Sequence, residues 1–100
     1  MLYLQLRQDI IEERIICDVE TLAQLSGVAL QVEYGDQSSC VSEGVYFHAE
    51  HYFPSKVIRR LGAAYVYTKV VEAHKSCSGI PSSMAEIEFI KVCENYSEDL

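Results

Sequence analysis

Residues 18–36 read DVETLAQLSGVALQVEYGD, a stretch that holds a helix start, an apolar stripe and a helix stop. Asp18 can accept hydrogen bonds from the free N–H groups that open a helix. Val19, Leu22, Leu25, Ala29 and Val32 recur on one side of a 3.6-residue period, and the stripe runs on to Tyr34. Gly35 supplies the left-handed backbone that commonly ends a helix, and Asp36 follows as loop. The spacing predicts a helix over 19–34.

Upstream, Leu2 to Ile16 also has helical periodicity, which predicts a helix near 2–16. Leu2, Leu6 and Ile10 make one stripe, and Leu4, Ile11 and Ile15 lie nearly opposite, the pattern of a helix sandwiched between neighbours. Downstream, residues 36–52 show no helical period and read as a loop in which Val45, Tyr46 and Phe47 can pack down locally. A connection of that length is uncommon and tends to be functional or variable. Pro54 suits a first helical turn because it has no N–H to leave unpaired. A short helix over 55–61 turns Val57, Ile58 and Leu61 inward and Lys56, Arg59 and Arg60 outward. Gly62 breaks it from a longer helix over 63–77, which buries Val66, Val70, Ala73 and Cys77 and shows Lys69, Glu72 and Lys75 on its outer face. Ser78-Gly79 ends that helix and Pro81 forbids its continuation. In the last helix, 82–96, Ser82 or Ser83 can cap the start, Ser83 in capping-box register with Glu86. Its main stripe is Ala85, Phe89, Val92 and Tyr96. No stretch reads as a strand. The expectation is an all-α bundle of four to five helices, one domain over 1–100.

Composition narrows the function classes. Of 100 residues 49% are apolar, too many for a disordered chain. No run of about 18 apolar residues exists, so no membrane-spanning helix is expected. The start MLYLQLRQDI lacks a basic leader, which predicts an intracellular, cytoplasmic protein. In that compartment Cys17, Cys40, Cys77 and Cys93 are expected as reduced thiols. The net charge is −7, unsuited to nucleic acid, whose phosphates call for clustered bases. Within residues 53–80, however, Lys56, Arg59, Arg60, Lys69 and Lys75 face Glu72 alone, a local charge of +4 against −11 elsewhere. Two readings stand: a solvated face, or an electrostatic docking surface for protein tails or anionic lipid.

Catalytic and metal signals are thin. His48-x-x-His51 and His74-x-x-Cys77 each offer two ligands, whereas zinc needs four converging donors. Solvent-exposed histidines and a buried thiol account for the same residues. A Cys/His nucleophile needs a thiol of lowered pKa, and no motif specifies one. No phosphate-binding glycine loop or hydrolase elbow appears. No enzyme and no cofactor are expected. Tyr3, Tyr34 and Tyr96 fall on helical stripes and are expected in the core with the hydroxyl at its edge, while Tyr65 and Tyr67 flank the basic helix.

Four collinear segments resemble the middle lobe of FERM domains (the band four-point-one, ezrin, radixin, moesin family). YLQLRQDIIEERIIC, residues 3–17, is similar to that lobe's opening helix through Tyr3, Gln5, Leu6, Arg7, Asp9 and Ile10. ETLAQLSGVALQVEYGD resembles its second helix, ending on Gln31, Glu33, Gly35 and Asp36. HYFPSKVIRRLG, residues 51–62, is like the aromatic-Pro segment that enters the later helices. EAHKSCSGIPSSMAEIEFI, residues 72–90, resembles the His-x(4)-Gly turn with its Ala-Glu and aromatic, through His74, Gly79, Ala85, Glu86 and Phe89. There are departures: Glu13 stands where the family often has Gly, and CENYSEDL replaces the usual Tyr-Gly exit. The wording of residues 52–62 resembles scaffold-type members, willin-like and PDZ-containing FERM proteins among them. The resemblance implies a fold like acyl-CoA-binding protein and a place between a ubiquitin-like and a phosphotyrosine-binding-like lobe. It further implies a non-catalytic scaffold role, linking membranes or cytosolic tails of membrane proteins to cytoskeletal or signalling partners. An anionic-lipid module and a small acyl-ligand carrier are the competing expectations, the latter from fold analogy alone.

Overall fold

The computed structural model describes residues 2–39 and 46–97. Five α-helices run in order: α1 (Leu2–Ile11), α2 (Val19–Tyr34), α3 (Ser55–Leu61), α4 (Ala63–Lys75) and α5 (Ser82–Ser97). Two single 3-10 turns, Gln37–Ser39 and Ala49–His51, lie between α2 and α3. The fold is all-helical, and the described residues contain no strand.

The centre of the bundle is α2, which packs against both α4 and α5. From Leu25 to Gln31 every residue is buried, so the helix has a neighbour on nearly every side. Small side chains make this possible. Gly27 sits against α4 so closely that a Cβ built on it would lie 2.6 Å from Ala73. The Ser26 hydroxyl is buried too, and it is satisfied by donating to the Leu22 carbonyl at 2.8 Å. At its start α2 has the expected cap: Asp18 accepts from the Thr21 N–H, and its carboxylate also receives the hydroxyls of Thr21 and Tyr96, fastening the end of α5. The sandwiched helix is therefore α2. α1 has one buried face, Tyr3, Leu6 and Ile10, while Leu2 and Leu4 are more than half exposed.

α1 is shorter than the periodicity of Leu2 to Ile16 suggested. It ends at Ile11 in a turn where the Glu13 N–H donates to Ile10 O and the Arg14 N–H reaches back to Asp9 O at 2.8 Å. That six-to-one bond is the Schellman closure, which requires a left-handed residue, and Glu13 supplies it at φ 62°. Ile15 is buried after all, but the turn delivers it rather than a helical stripe.

Differences elsewhere have similar local causes. Pro54 caps α3 instead of opening it. α4 stops at Lys75, and Cys77 is buried from the turn that comes next. α5 begins at Ser82, with the Pro81 carbonyl accepting from Ala85 N–H, so neither serine stands at the cap and the capping-box register is not used. Tyr34 and Tyr96 end up exposed at helix ends, whereas Tyr3 is buried and meets Phe89 edge-to-face at 4.9 Å. Cys93, off the expected stripe, is fully buried. The segment before α3 contributes Phe47, Tyr52 and Phe53 to the core, with Phe47 stacked on Tyr67 of α4 at 4.5 Å. Val45 lies outside the described residues.

Between α3 and α4 a single residue turns the corner. Gly62 closes α3 by donating to Ile58 O and opens α4 by accepting from Val66 N–H, at φ 93° and ψ 137°. An L side chain rarely adopts that backbone.

Two substitutions should move stability in opposite directions. Glu13→Gly removes the left-handed penalty of about 1–2 kcal/mol while adding unfolded-state freedom of up to about 1 kcal/mol, so the urea midpoint should rise slightly. Gly27→Ala puts a methyl into the Ala73 backbone, and overpacking of this kind costs about 1–3 kcal/mol; its midpoint should fall clearly in the same assay.

Candidate functional site

The motif residues of α2 and of the turn before α5 converge on the far end of α2. Gln31 points its amide nitrogen at two acceptors, Asp36 Oδ1 and the Ile80 carbonyl, both at 2.8 Å. The same Asp36 oxygen accepts from the Gly79 N–H at 2.8 Å. One carboxylate thus ties the end of α2 to the turn between α4 and α5. Gly79 and then Gln31 hold the Asp36 carboxyl below the usual carboxylate range. The other amide atom, Gln31 Oε1, is buried without a protein partner among the described residues. Flipping the amide would aim that oxygen at two acceptors, so the orientation is fixed by repulsion as well as by attraction.

Above this clasp sits His74, fully buried. Its Nε2 lies 2.7 Å from the Gly35 carbonyl, which can only accept, so Nε2 carries the proton. Its Nδ1 is then free to accept from the Tyr46 hydroxyl at 2.8 Å. Burial holds this imidazole below the ordinary histidine range, against the pull of Gly35 and Asp36. The expectation of solvent-exposed histidines fits His48 and His51 but fails for His74.

A second cluster joins α1 to α2. Glu33 accepts from the Tyr3 hydroxyl at 2.8 Å and pairs with Arg7, whose guanidinium lies 4.7 Å from the centre of the Tyr52 ring. Burial, reinforced by Glu33, pushes the Tyr3 and Tyr52 phenols upward and keeps both protonated. Tyr3, Arg7, Gln31, Glu33, Asp36, His74 and Gly79 are therefore framework, each engaged by a segment distant in sequence.

The basic residues are placed differently. Lys56, Arg59 and Arg60 are exposed on α3 and form no ion pair among the described residues. Lys69 is half-buried rather than outward: it reaches Glu20 of α2 at 3.6 Å and lies 5.8 Å from the Tyr65 ring. It forms one wall of an open groove of about 340 Å³ between α2 and α4, with Glu20, Gln24, Glu72 and Ser76. Lys75 is exposed at the far end of α4, about 18 Å along the helix from the α3 corner at 1.5 Å per residue. The five bases do not converge. α3 presents three together, and the other two stand apart.

Sulfur chemistry is suppressed where it is described. Burial pushes Cys93 to about 12 and, with Asp18, Cys17 to about 11, and it raises Cys77 as well. These thiols stay protonated and unreactive near neutral pH. Cys40 lies outside the described residues. Both His74 nitrogens are engaged, so the His74–Cys77 pair holds no free imidazole donor. His48 and His51 lie 5.4 Å apart between ring centres. Among the described residues no three His, Cys, Asp or Glu side chains gather in metal-binding geometry. No described helix is long and apolar enough to cross a membrane.

Comparison with known proteins decides the family. The model of the FERM central domain matches residues 1–98. The chain belongs to the FERM family. Over 96 residues it is 43% identical to tyrosine-protein phosphatase non-receptor type 13 of Homo sapiens, covering 96% of this chain and 4% of that protein. Over 97 residues it is 41% identical to FERM and PDZ domain-containing protein 2 of Mus musculus, covering 96% and 7%. Protein 4.1 of Canis lupus familiaris is 31% identical over 96 residues, covering 96% and 11%. The chain thus spans a small part of each relative, and the region shared with the phosphatase is the FERM central domain.

In this FERM central domain, sequence reasoning identified the motif residues without their roles. In the sequence Tyr46 is only a residue that can pack down locally and Tyr52 only part of the aromatic-Pro segment; the contacts of Tyr46 with His74, and of Tyr52 with Arg7 and Glu33, were not anticipated. The available signal was Gln31 beside the apolar run Val28-Ala29-Leu30, since a buried polar group requires partners. Asp36→Asn keeps the shape and removes the charge. A carboxyl held low in the folded state stabilises above its ordinary value of 3.8 and loses that contribution as pH falls through its folded range. Urea unfolding from about pH 7 to about pH 3 should therefore show the variant less stable at neutral pH, with the gap closing in acid.

Proposed function

We propose that the chain is the non-catalytic middle lobe of a FERM scaffold, flanked by neighbouring FERM lobes, cytoplasmic and peripheral at the membrane and cytoskeleton. On this reading α3 docks the acidic cytosolic tails of membrane proteins or other acidic protein segments. One observation carries the docking part: Lys56, Arg59 and Arg60 stand together, exposed, with no ion pair among the described residues. The neighbouring lobes are supported by apolar side chains left uncovered on the flanking helices, Leu2 and Leu4 on α1 and Met84 and Ile87 on α5, each 52–56% exposed. The relatives are many times longer than this chain, long enough to hold such lobes.

Anionic lipid is the second reading of the same bases. Each base near such a surface contributes about 1 kcal/mol, which three of them supply only weakly in a chain of net charge −7. Lys69 is spent on Glu20 and Lys75 is remote, which favours a compact acidic peptide over an extended surface. An acyl-ligand carrier needs a basic pocket that converges on a headgroup, and the bases stand on separate elements.

Reversal of Arg59 and Arg60 to Glu in the complete FERM-containing protein tests the assignment. The exposed positions predict a stability change within about 0.5 kcal/mol. Affinity for an acidic tail peptide should drop several-fold at low salt, and the difference should shrink as salt rises. A larger loss on anionic vesicles than on the peptide would favour lipid. Unchanged binding to both, with the fold intact, would mean that these bases only balance the domain's own acids.

A further inference from the structure

We propose that His74 makes the anchorage of residues 46–53 to α4 sensitive to pH: the neutral imidazole fastens this segment and the imidazolium releases it. The segment holds no α-helix, only the 3-10 turn Ala49–His51, and it is held by what it touches. Phe47 stacks on Tyr67, Phe53 is fully buried, and the Tyr46 hydroxyl gives its proton to His74 Nδ1.

With Tyr46 as the donor, that last bond exists only while Nδ1 is unprotonated. Nε2 already carries a proton directed at the Gly35 carbonyl, so a second proton must go to Nδ1. The nitrogen then changes from acceptor to donor, and the Tyr46 hydroxyl has to turn its own proton away and accept instead. The resulting cation sits in a site with no solvent exposure. Asp36, in the turn after α2, is the charge that acts on it and favours the cation; burial acts the other way and prevails. Tyr46 faces it from the segment. Glu72 and Lys75 of α4 itself are exposed, and α5 presents no charge to it among the described residues.

Relief requires water, and the walls are unequal. On the Gly35 side the backbone is tied down by Asp36, Gln31 and Gly79. At the backbone of His74, α2 and α4 are in tight contact through Gly27, where a Cβ would lie 2.7 Å from the His74 main-chain nitrogen. Over Nδ1 stands the half-buried Tyr46. Tyr46 belongs to a segment with no α-helix, so its displacement would open Nδ1 to water without unpacking a helix. Because the open form takes up a proton near the ordinary histidine value of 6.5 and the closed form only at lower pH, opening grows as pH falls below about 6.5.

Amide hydrogen exchange by NMR, expressed as protection factors to remove the intrinsic pH dependence, provides the test. From about pH 7.5 to about pH 5, protection of residues 46–53 should fall by up to about tenfold per pH unit below the ordinary histidine value, while α2 and α5 hold. His74→Gln keeps an N–H for Gly35 and cannot titrate, so its segment should lose this dependence. The same fall in His74→Gln would assign the effect to exposed His48 and His51 and overturn the proposal. The imidazole resonances of the unmodified chain give a second reading that does not depend on the variant folding. If His74 protonates while 46–53 remain protected, the proposal also fails; coincident midpoints support it.

Discussion

A helix surrounded by protein has to end without leaving bare polar groups, and this constraint organises the lobe. α2 is buried from Leu25 to Gln31, so although Glu33 and Tyr34 reach the surface, Gln31 at the head of its last turn cannot rely on solvent. The Gly35 N–H returns to Gln31 O, His74 meets Gly35 O, and the Asp36 carboxylate gathers Gln31 and the Gly79 N–H. These partners come from two stretches of the chain, 31–36 and 74–79. The position of α4, the start of α5 and the turn between them are all set by closing the end of one helix. The family resemblance in residues 31–36 and 74–79 is thereby given a physical content. Those residues are two halves of one termination.

At the other end of the same helix the logic repeats with weaker groups. Asp18 caps α2 and accepts from Tyr96 at the close of α5, at the exposed rim of the bundle. Between the two ends, contact is set by volume. Gly27 and Ala73 let α2 and α4 approach, and Tyr3 with Phe89 fills the wider space between α1 and α5.

How much of this was legible depended on whether the signal was local. The stripe of Leu22, Leu25 and Ala29 with Asp18 and Gly35 at its limits is a local pattern, and α2 has the expected bounds. So is the helix–glycine–helix run over 55–75. The limit of α1 was not legible, because Ile15 looks the same whether a helix or a Schellman turn buries it, and Glu13 is an unusual residue to turn left-handed. His74 misled for the opposite reason. Nothing near it in sequence announces that Gly35 and Tyr46, 39 and 28 residues away, will meet its two nitrogens. The basic face was half legible: helical phase put Lys56, Arg59 and Arg60 outside, but only the packing of α4 on α2 shows that Lys69 belongs to Glu20.

The corner at Gly62 has a thermodynamic consequence for the helix before it. α3 is seven residues long, has no buried residue, and joins α4 through that one glycine. Isolated helices of that length do not hold in water, and local opening is easiest where few apolar contacts resist it. The surface carrying Lys56, Arg59 and Arg60 therefore rides on the least strongly held helix of the lobe. A ligand for it meets an equilibrium between formed and unwound α3. Its apparent affinity is the intrinsic one scaled by the fraction formed, so mutations in the apolar contacts of Val57, Ile58 and Leu61 will tune binding without touching the ligand.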